Sequence, residues 1–355
     1  MNAPLPLLEA LTALSGLLSV LAIATTACKV QRALRLRRHR RLEAAARPHV
    51  LRVLADDERS GSAPEMNHSL GRTFEELSIS LLPKLRGADR DALVAALENR
   101  GVLERARRRT SRSGAVGRAR AAQLLGDAGD EGALPGLARL LADRDPEVRT
   151  VAARALGKLG PTAVEPLLAA LDSPRPVPAG IVTMALVHAG AAGADDLTQG
   201  LDLSRSARVR TVAAELLGQL GVLSATGRLA QTLADDPDLA TRAAAARSLG
   251  RLGLPEGITP LLAALHEAQP SVLRIDAARA LGRIGGASAV AALRELLVSP
   301  DIELARATAE GLAACGDAGV SALEAAAEAP VSAPSAREAL ARLTLSTSRR
   351  PAVAA

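Results

Sequence analysis

Asp145-Pro146-Glu147-Val148-Arg149, running through Ala152-Ala153-Arg154-Ala155-Leu156-Gly157-Lys158-Leu159 to Gly160, is one copy of a phrase the chain repeats seven times. The copies close on Gly129, Gly160, Gly190, Gly221, Gly253, Gly285 and Gly316, at spacings of 31, 30, 31, 32, 32 and 31 residues. A fixed period of that length marks a solenoid, in which each unit buries a face against the next. Within the phrase, Val148, Ala152, Ala155, Leu156 and Leu159 fall on one stripe at helical spacing. Leu134, Leu137, Leu140 and Leu141 form a similar stripe just before it, so each unit reads as a helical hairpin. Asp145 is placed to cap the second helix and Pro146 to open it, because proline has no N–H to leave unsatisfied. Gly160 suits the left-handed position that ends a helix. Gly126, Gly157, Gly218, Gly250 and Gly282 stand three residues before their closing glycines. Interior glycine costs roughly 1 kcal/mol against alanine, so five copies predict close approach between neighbouring helices.

The run Asp143 to Arg149, followed by Ala152 to Gly160, resembles the HEAT-like repeat named after phycobilisome lyases. Similar text recurs from Arg208 to Gly221, Thr241 to Gly253 and Leu273 to Gly285. The resemblance implies an all-α, right-handed α-solenoid of about seven HEAT-like hairpins over residues 114–316. It also implies a structural ladder of arginines early in the second helices, paired with acids at the turns. The matching residues are Arg118, Arg149, Arg210, Arg242 and Arg274, each 11 before its closing glycine; the third and seventh copies carry Ala179 and Ala305 instead. The resemblance leaves activity open, since its members include enzymes, enzyme subunits and scaffolds.

The N-terminus carries a different signal. Ala10 to Cys28 is 19 residues without a charge, long enough as a helix to span roughly 28 Å of a ~30 Å hydrocarbon core. Lys29, Arg32, Arg35, Arg37, Arg38, Arg40, Arg41 and Arg47 follow at once, opposed only by Glu43, while no Lys or Arg precedes the stretch. A secretory signal needs the opposite layout. Residues 1–28 are therefore expected to be an uncleaved single-pass anchor of the inner membrane, N-terminus outside, with the solenoid in the cytoplasm. Residues 29–66 read as a basic juxtamembrane helix and linker, 67–113 as an N-terminal helical cap, 317–345 as a C-terminal cap and 346–355 as a disordered tail.

Net charge is split. Residues 29–120 hold 22 basic and 11 acidic groups, a net +11, whereas residues 121–345 hold 20 and 26, a net −6. Lys29, Arg32, Arg35, Arg37, Arg38, Arg40 and Arg41 are candidate contacts for anionic lipids, each attracted by about 1 kcal/mol near such a surface. Nucleic acid is disfavoured as a partner: with no Trp, no Tyr and Phe74 alone, base stacking is nearly excluded.

Little suggests catalysis. His39, His49, His68, His188 and His266 are too far apart for a metal spacing. His266-Glu267 is a single His-Glu pair where deoxyhypusine hydroxylase, a HEAT-like di-iron enzyme, uses four. Gly157-Lys158 is followed by Leu159, where a phosphate loop requires Ser or Thr. No catalytic residue, metal ligand or cofactor is assigned.

One unit breaks the pattern. Ser173-Pro174-Arg175-Pro176-Val177-Pro178 replaces the charged turn with three prolines, and Ile181 to Gly190 holds no acid or arginine. Arg175, Pro176, Val177, Met184 and His188 are candidate partner contacts on a stiffened turn. The chain also resembles bacterial membrane-anchored HEAT proteins that keep a stretch like Val177-Pro178-Ala179-Gly180 and are encoded beside membrane glycosyltransferases. That resemblance implies a scaffold for a protein partner, with a membrane glycosyltransferase the leading choice. A lyase-like or hydroxylase-like enzyme or subunit, and a protein recruited mainly by anionic lipid, remain the alternatives.

Overall fold

The protein, seen in a computed structural model, is described over residues 5–55, 66–203, 205–329 and 333–348. Of residues 5–24, 28, 35, 36, 38, 333 and 346–348 only the backbone is described. It divides into two compact units, Met1–Ala106 and Arg107–Ala355, and the described residues contain helices and no strands.

The first unit starts with one long helix, α1 (Leu5–Ala55), whose C-terminal part packs on α2 (His68–Leu81) and α3 (Ala88–Asn99). Ala46 and Val50 of α1 are buried, as are Phe74, Leu93 and Leu97 opposite. The Arg100 guanidinium lies 5.8 Å from the centre of the Phe74 ring. Its Nε donates to Glu75 at 3.1 Å, and Arg105 donates to the other Glu75 oxygen at 3.0 Å. Of the basic run, Lys29, Arg32, Arg37, Arg40 and Arg41 are exposed. Arg35 and Arg38 lie outside the described side chains, as does almost all of Ala10–Cys28. Among the described residues, no helix is long and apolar enough to cross a membrane. The expected linker over 56–65 and the tail from 349 also lie outside the described residues.

Helix α4 (Val102–Arg112) straddles the division between the units. In the second unit, α5 (Ala115–Ala128) is followed by hairpins of a short first helix and a longer second one. These are α6 (Leu134–Leu140) with α7 (Pro146–Gly157), α8 (Val164–Ala169) with α9 (Ala179–Ala189), and α10 (Ala194–Gln199) with α11 (Ala207–Gln219). Next come α12 (Thr226–Asp235) with α13 (Leu239–Leu252), α14 (Ile258–Ala264) with α15 (Ser271–Ile284), and α16 (Ala287–Leu296) with α17 (Ile302–Ala314). Successive second helices stack on one another, and first helices meet between α8 and α10 and from α12 to α18. The segment expected as a C-terminal cap is a further hairpin, α18 (Asp317–Ala327) with α19 (Ala333–Ser348), which continues both stacks. It lacks the closing glycine but keeps Leu323, Ala336 and Ala339 in the core.

Local chemistry sets each hairpin. The Asp145 carboxylate accepts from the N–H groups of Glu147 and Val148 at 2.8 and 3.4 Å, and Asp301 caps α17 in the same way. All seven closing glycines have positive φ, a region costly for residues with a Cβ. The interior glycines do permit close approach: a Cβ at Gly126 would lie 2.6 Å from the Ala155 Cα, and one at Gly157 2.5 Å from the Ala185 oxygen.

Candidate functional site

Three kinds of tie join neighbouring units, and each is interrupted at one junction or the other of the third unit, α8–α9. The first is the arginine ladder. Arg118 grips Asp143 of the next turn with Nε and Nη2, both at 2.8 Å, and Arg210 grips Asp236 at 2.7 and 2.8 Å. Arg242 reaches Gln269 at 2.7 Å and the Leu233 oxygen at 2.9 Å, and Arg274 donates to the Leu265 oxygen at 3.1 Å. Arg149 lacks such an acid: 25 residues on, where Arg118 finds Asp143, stands Pro174. Its Nη1 donates to the backbone oxygens of Asp143 and Arg144, while its Nε is buried without a partner. The third unit then supplies Ala179 in place of the next arginine.

The second tie is helix contact. In most units the residue three before the closing glycine is itself glycine, and the next helix presses against it. In α9 that residue is Val187, which is exposed. Helices α9 and α11 pack more loosely than any other successive second helices.

The third tie is a column of charges on the exposed face of the second helices, six residues before each closing glycine: Gln123, Arg154, Met184, Glu215, Arg247, Arg279 and Glu310. From α11 onward these pair across helices. Glu215 accepts from Arg247 at 3.3 Å and Arg251 at 2.7 Å, Arg247 also reaches Asp276 at 2.6 Å, and Glu310 joins Arg279 and Arg342 at 3.3 and 3.0 Å. Lys158 of α7 pairs with Asp127 of α5 at 2.5 Å. Between these runs, Arg154 is exposed with no ion pair among the described residues, and α9 contributes only Met184, Val187 and His188. Met184 is 62% and Val187 42% exposed, an unusual investment of apolar surface on an otherwise charged face.

The candidate contacts do not all lie together. Arg175 and Pro176 are exposed on the turn, while Met184 and His188 lie further along α9 on successive turns; His188 Nδ1 is 3.3 Å from the Met184 oxygen. Val177 is buried and unavailable to a partner: its side chain plugs the turn, and its N–H donates to the Ala170 oxygen at 3.4 Å. Val187, which sequence reading passed over, belongs to the exposed group. Its signal was present in the sequence as a valine at a glycine position.

His266 and Glu267 are both exposed at the start of the turn after α14, and among the described residues no cluster of His, Cys, Asp or Glu could hold a metal. Cys315 is half-buried, and burial pushes its thiol pKa up, away from nucleophilic use.

The ladder also sets an acid limit. The hydrogen bond from Arg118 holds Asp143 below the usual carboxylate range, and hydrogen bonds from Thr241 and Ser271 do the same for Asp238 and Asp301. A carboxylate with a lowered folded-state pKa adds stability above its unfolded value, about 4, and loses it as pH falls through the folded value. Thermal melts are thus expected to hold level from neutrality to about pH 5 and to drop steeply below about pH 4. A melting temperature unchanged down to pH 3 would contradict this.

The family model of HEAT repeats matches residues 101–187, 194–282 and 258–343. Among solved structures, the karyopherin Kap121p bound to Nup53p aligns at a TM-score of 0.52 and 14% identity, over 79% of this chain and 36% of that one. This chain therefore spans about a third of the karyopherin's length. Human deoxyhypusine hydroxylase aligns at 0.30 and 21% identity, covering 86% and 97% of the two chains. The CpcE–CpcF phycocyanin lyase complex of Nostoc sp. aligns at 0.28 and 21%, covering 76% and 97%. Likenesses that weak bear on neither activity nor substrate. A search of curated proteins returns no match.

Proposed function

Since the chain belongs to the HEAT-repeat family, we propose that it is a non-catalytic scaffold whose third repeat docks a protein partner at the cytoplasmic face of a membrane. The observation that carries this reading is the coincidence of three interrupted ties in one unit. Each break alone is a tolerable defect. Together they expose Met184 and Val187 and leave Arg154 without an acid, on a face that is otherwise closed by its own ion pairs. Fully burying such apolar side chains against a partner contributes roughly 1.5–3 kcal/mol each. The karyopherin of similar fold is bound to Nup53p, so docking a protein is a use this architecture supports.

The membrane half of the proposal rests on the sequence. Ala10 to Cys28 is uncharged and is followed by Lys29 and seven arginines up to Arg47. Positive charge on one flank only places that flank in the cytoplasm, so residues 1–28 anchor a single-pass protein with the repeats inside. The exposed Lys29, Arg32, Arg37, Arg40 and Arg41 then face anionic headgroups and hold the start of the chain to the inner leaflet. A partner reached from there is itself a membrane protein, and the resemblance to HEAT proteins encoded beside glycosyltransferases makes a membrane glycosyltransferase the leading choice.

The test is affinity capture of the full chain from crosslinked, carbonate-washed membranes of the native host. One membrane enzyme should co-purify with the wild type and fall by more than about tenfold with Met184→Glu, while Arg283→Glu, outside the third unit, leaves it unchanged. Recovery of the chain in the soluble fraction would sink the anchor. Equal capture by Met184→Glu and wild type would sink the docking site.

A further inference from the structure

We propose that Arg149 is a receptor for a carboxylate of the docked partner, which supplies the ladder acid that the Pro-rich turn has lost. This rests on the docking reading above and names the chemistry of the docked segment: an Asp or Glu beside an apolar residue.

Arg118, Arg149 and Arg210 stand in the same register, 11 residues before their closing glycines. In Arg118, Nη1 donates to the backbone oxygen of Ser113, five residues back, and Nε and Nη2 form the fork that holds Asp143. In Arg210, Nη1 donates to Arg205, again five back, and the same fork holds Asp236. In Arg149, Nη1 donates to Arg144, five back, at 3.3 Å, and to Asp143 at 3.0 Å. The side chain is thus posed like the other two. Its fork is nevertheless empty: Nε is buried with no acceptor, and Nη2 makes no hydrogen bond among the described residues.

The acids of the two flanking turns are engaged elsewhere. Asp143 is held by Arg118, Asp145 caps α7, and Asp172 accepts from Ser206 at 2.5 Å. The turn from Ser173 to Pro178 contains no carboxylate. A planar guanidinium fork matches a carboxylate in geometry and charge, and buried donors left without partners are rare in native proteins. Arg149 as a whole is only half-buried, so one edge still meets solvent. Arg175, one residue beyond Pro174, is exposed without an acid partner, and Met184 and Val187 are exposed further along α9, the helix packed on α7. A docked segment carrying both an acid and an apolar residue would meet both.

The experiment uses the full chain in detergent micelles, screened against a randomised peptide library. Enriched peptides should share an Asp or Glu next to an apolar residue. Changing that acid to Asn or Gln should weaken binding to the wild type by about tenfold. It should have no effect on Pro174→Asp, whose own carboxylate occupies the fork, and a reduced effect on Arg149→Lys, which keeps the charge and loses the fork. Circular dichroism melts confirm that both variants fold. Enrichment without acids, an acid effect of equal size in Pro174→Asp, or no enrichment at all would overturn the proposal. Peptides lost on Met184→Glu but indifferent to Pro174→Asp would sink the carboxylate site and leave the docking reading standing; indifference to both would sink both. Displacement of the peptides by anionic phospholipid vesicles, with the same sensitivity to Pro174→Asp, would reassign the site to a lipid phosphate and overturn it as well.

Discussion

Asp236→Ala lowers the unfolding free energy of the repeat array by about 3–5 kcal/mol, the cost of stranding one member of a buried ion pair. The side chains of Arg210 and Asp236 are only 6% and 1% exposed, and two parallel hydrogen bonds of 2.7 and 2.8 Å join them. Asp236 also accepts from the Asp238 N–H at 2.9 Å, which fixes the turn leading into α13. Removing the carboxylate therefore unpairs a backbone donor as well as the guanidinium, which cannot shed its proton. Asp143→Ala removes the same partner from Arg118, where the arginine side chain is 22% exposed, and water can re-solvate it, so its cost should be visibly smaller. The double variant Arg210→Met with Asp236→Leu should return most of the loss, since apolar replacement of a buried pair is often near neutral. Denaturant titration followed by circular dichroism measures all three. An Asp236→Ala loss within about 1 kcal/mol, the scale of exposed pairs, would refute the ladder as a structural tie.

Gly250→Val is the second large effect, expected to cost about 1–3 kcal/mol from overpacking. A Cβ at Gly250 would lie 2.6 Å from the Ala280 Cα, which is backbone and cannot swing aside. Helices α13 and α15 would have to separate, and with them the pairing of Arg247 with Asp276 across the same junction. Gly227 of α12 provides the contrast, because nothing lies within 4 Å of its missing Cβ. Gly227→Ala should be neutral or stabilising by up to about 1 kcal/mol through helix propensity alone. Melting temperatures of the two variants that moved together would mean the interior glycines mark composition and not close packing.

Much of the fold was readable in the sequence because its signals are local. The 3.6-residue stripes, the Asp145 cap and the closing glycines each act within one hairpin, and the structure has them where the spacing placed them. Resemblance pointed to the ladder arginines, but only Arg118 and Arg210 grip an acid: Arg242 meets Gln269, and Arg274 and Arg149 donate to backbone oxygens. What escaped were features defined across units. Glu215, Arg247 and Glu310 stand at one offset from successive closing glycines, so their pairing shows only when the copies are laid side by side. Val177 reads as turn surface among prolines, yet the turn folds back and buries it. The last hairpin, α18–α19, kept its packing after losing the glycine that advertised the period. The apolar stretch before Lys29 stays where the sequence left it, a proposal for fractionation to decide.

The junction between α9 and α11 has a mechanical meaning as well. A stack in which each unit touches only its neighbours transmits cooperativity one interface at a time, so its loosest interface decides where the array separates. Between α9 and α11 the second helices pack loosely, yet Arg205 still pairs with Glu165 and Ser206 with Asp172 across the same junction, so its two sides are unequally tied. A partner bound astride that junction would act as a splint on its looser side.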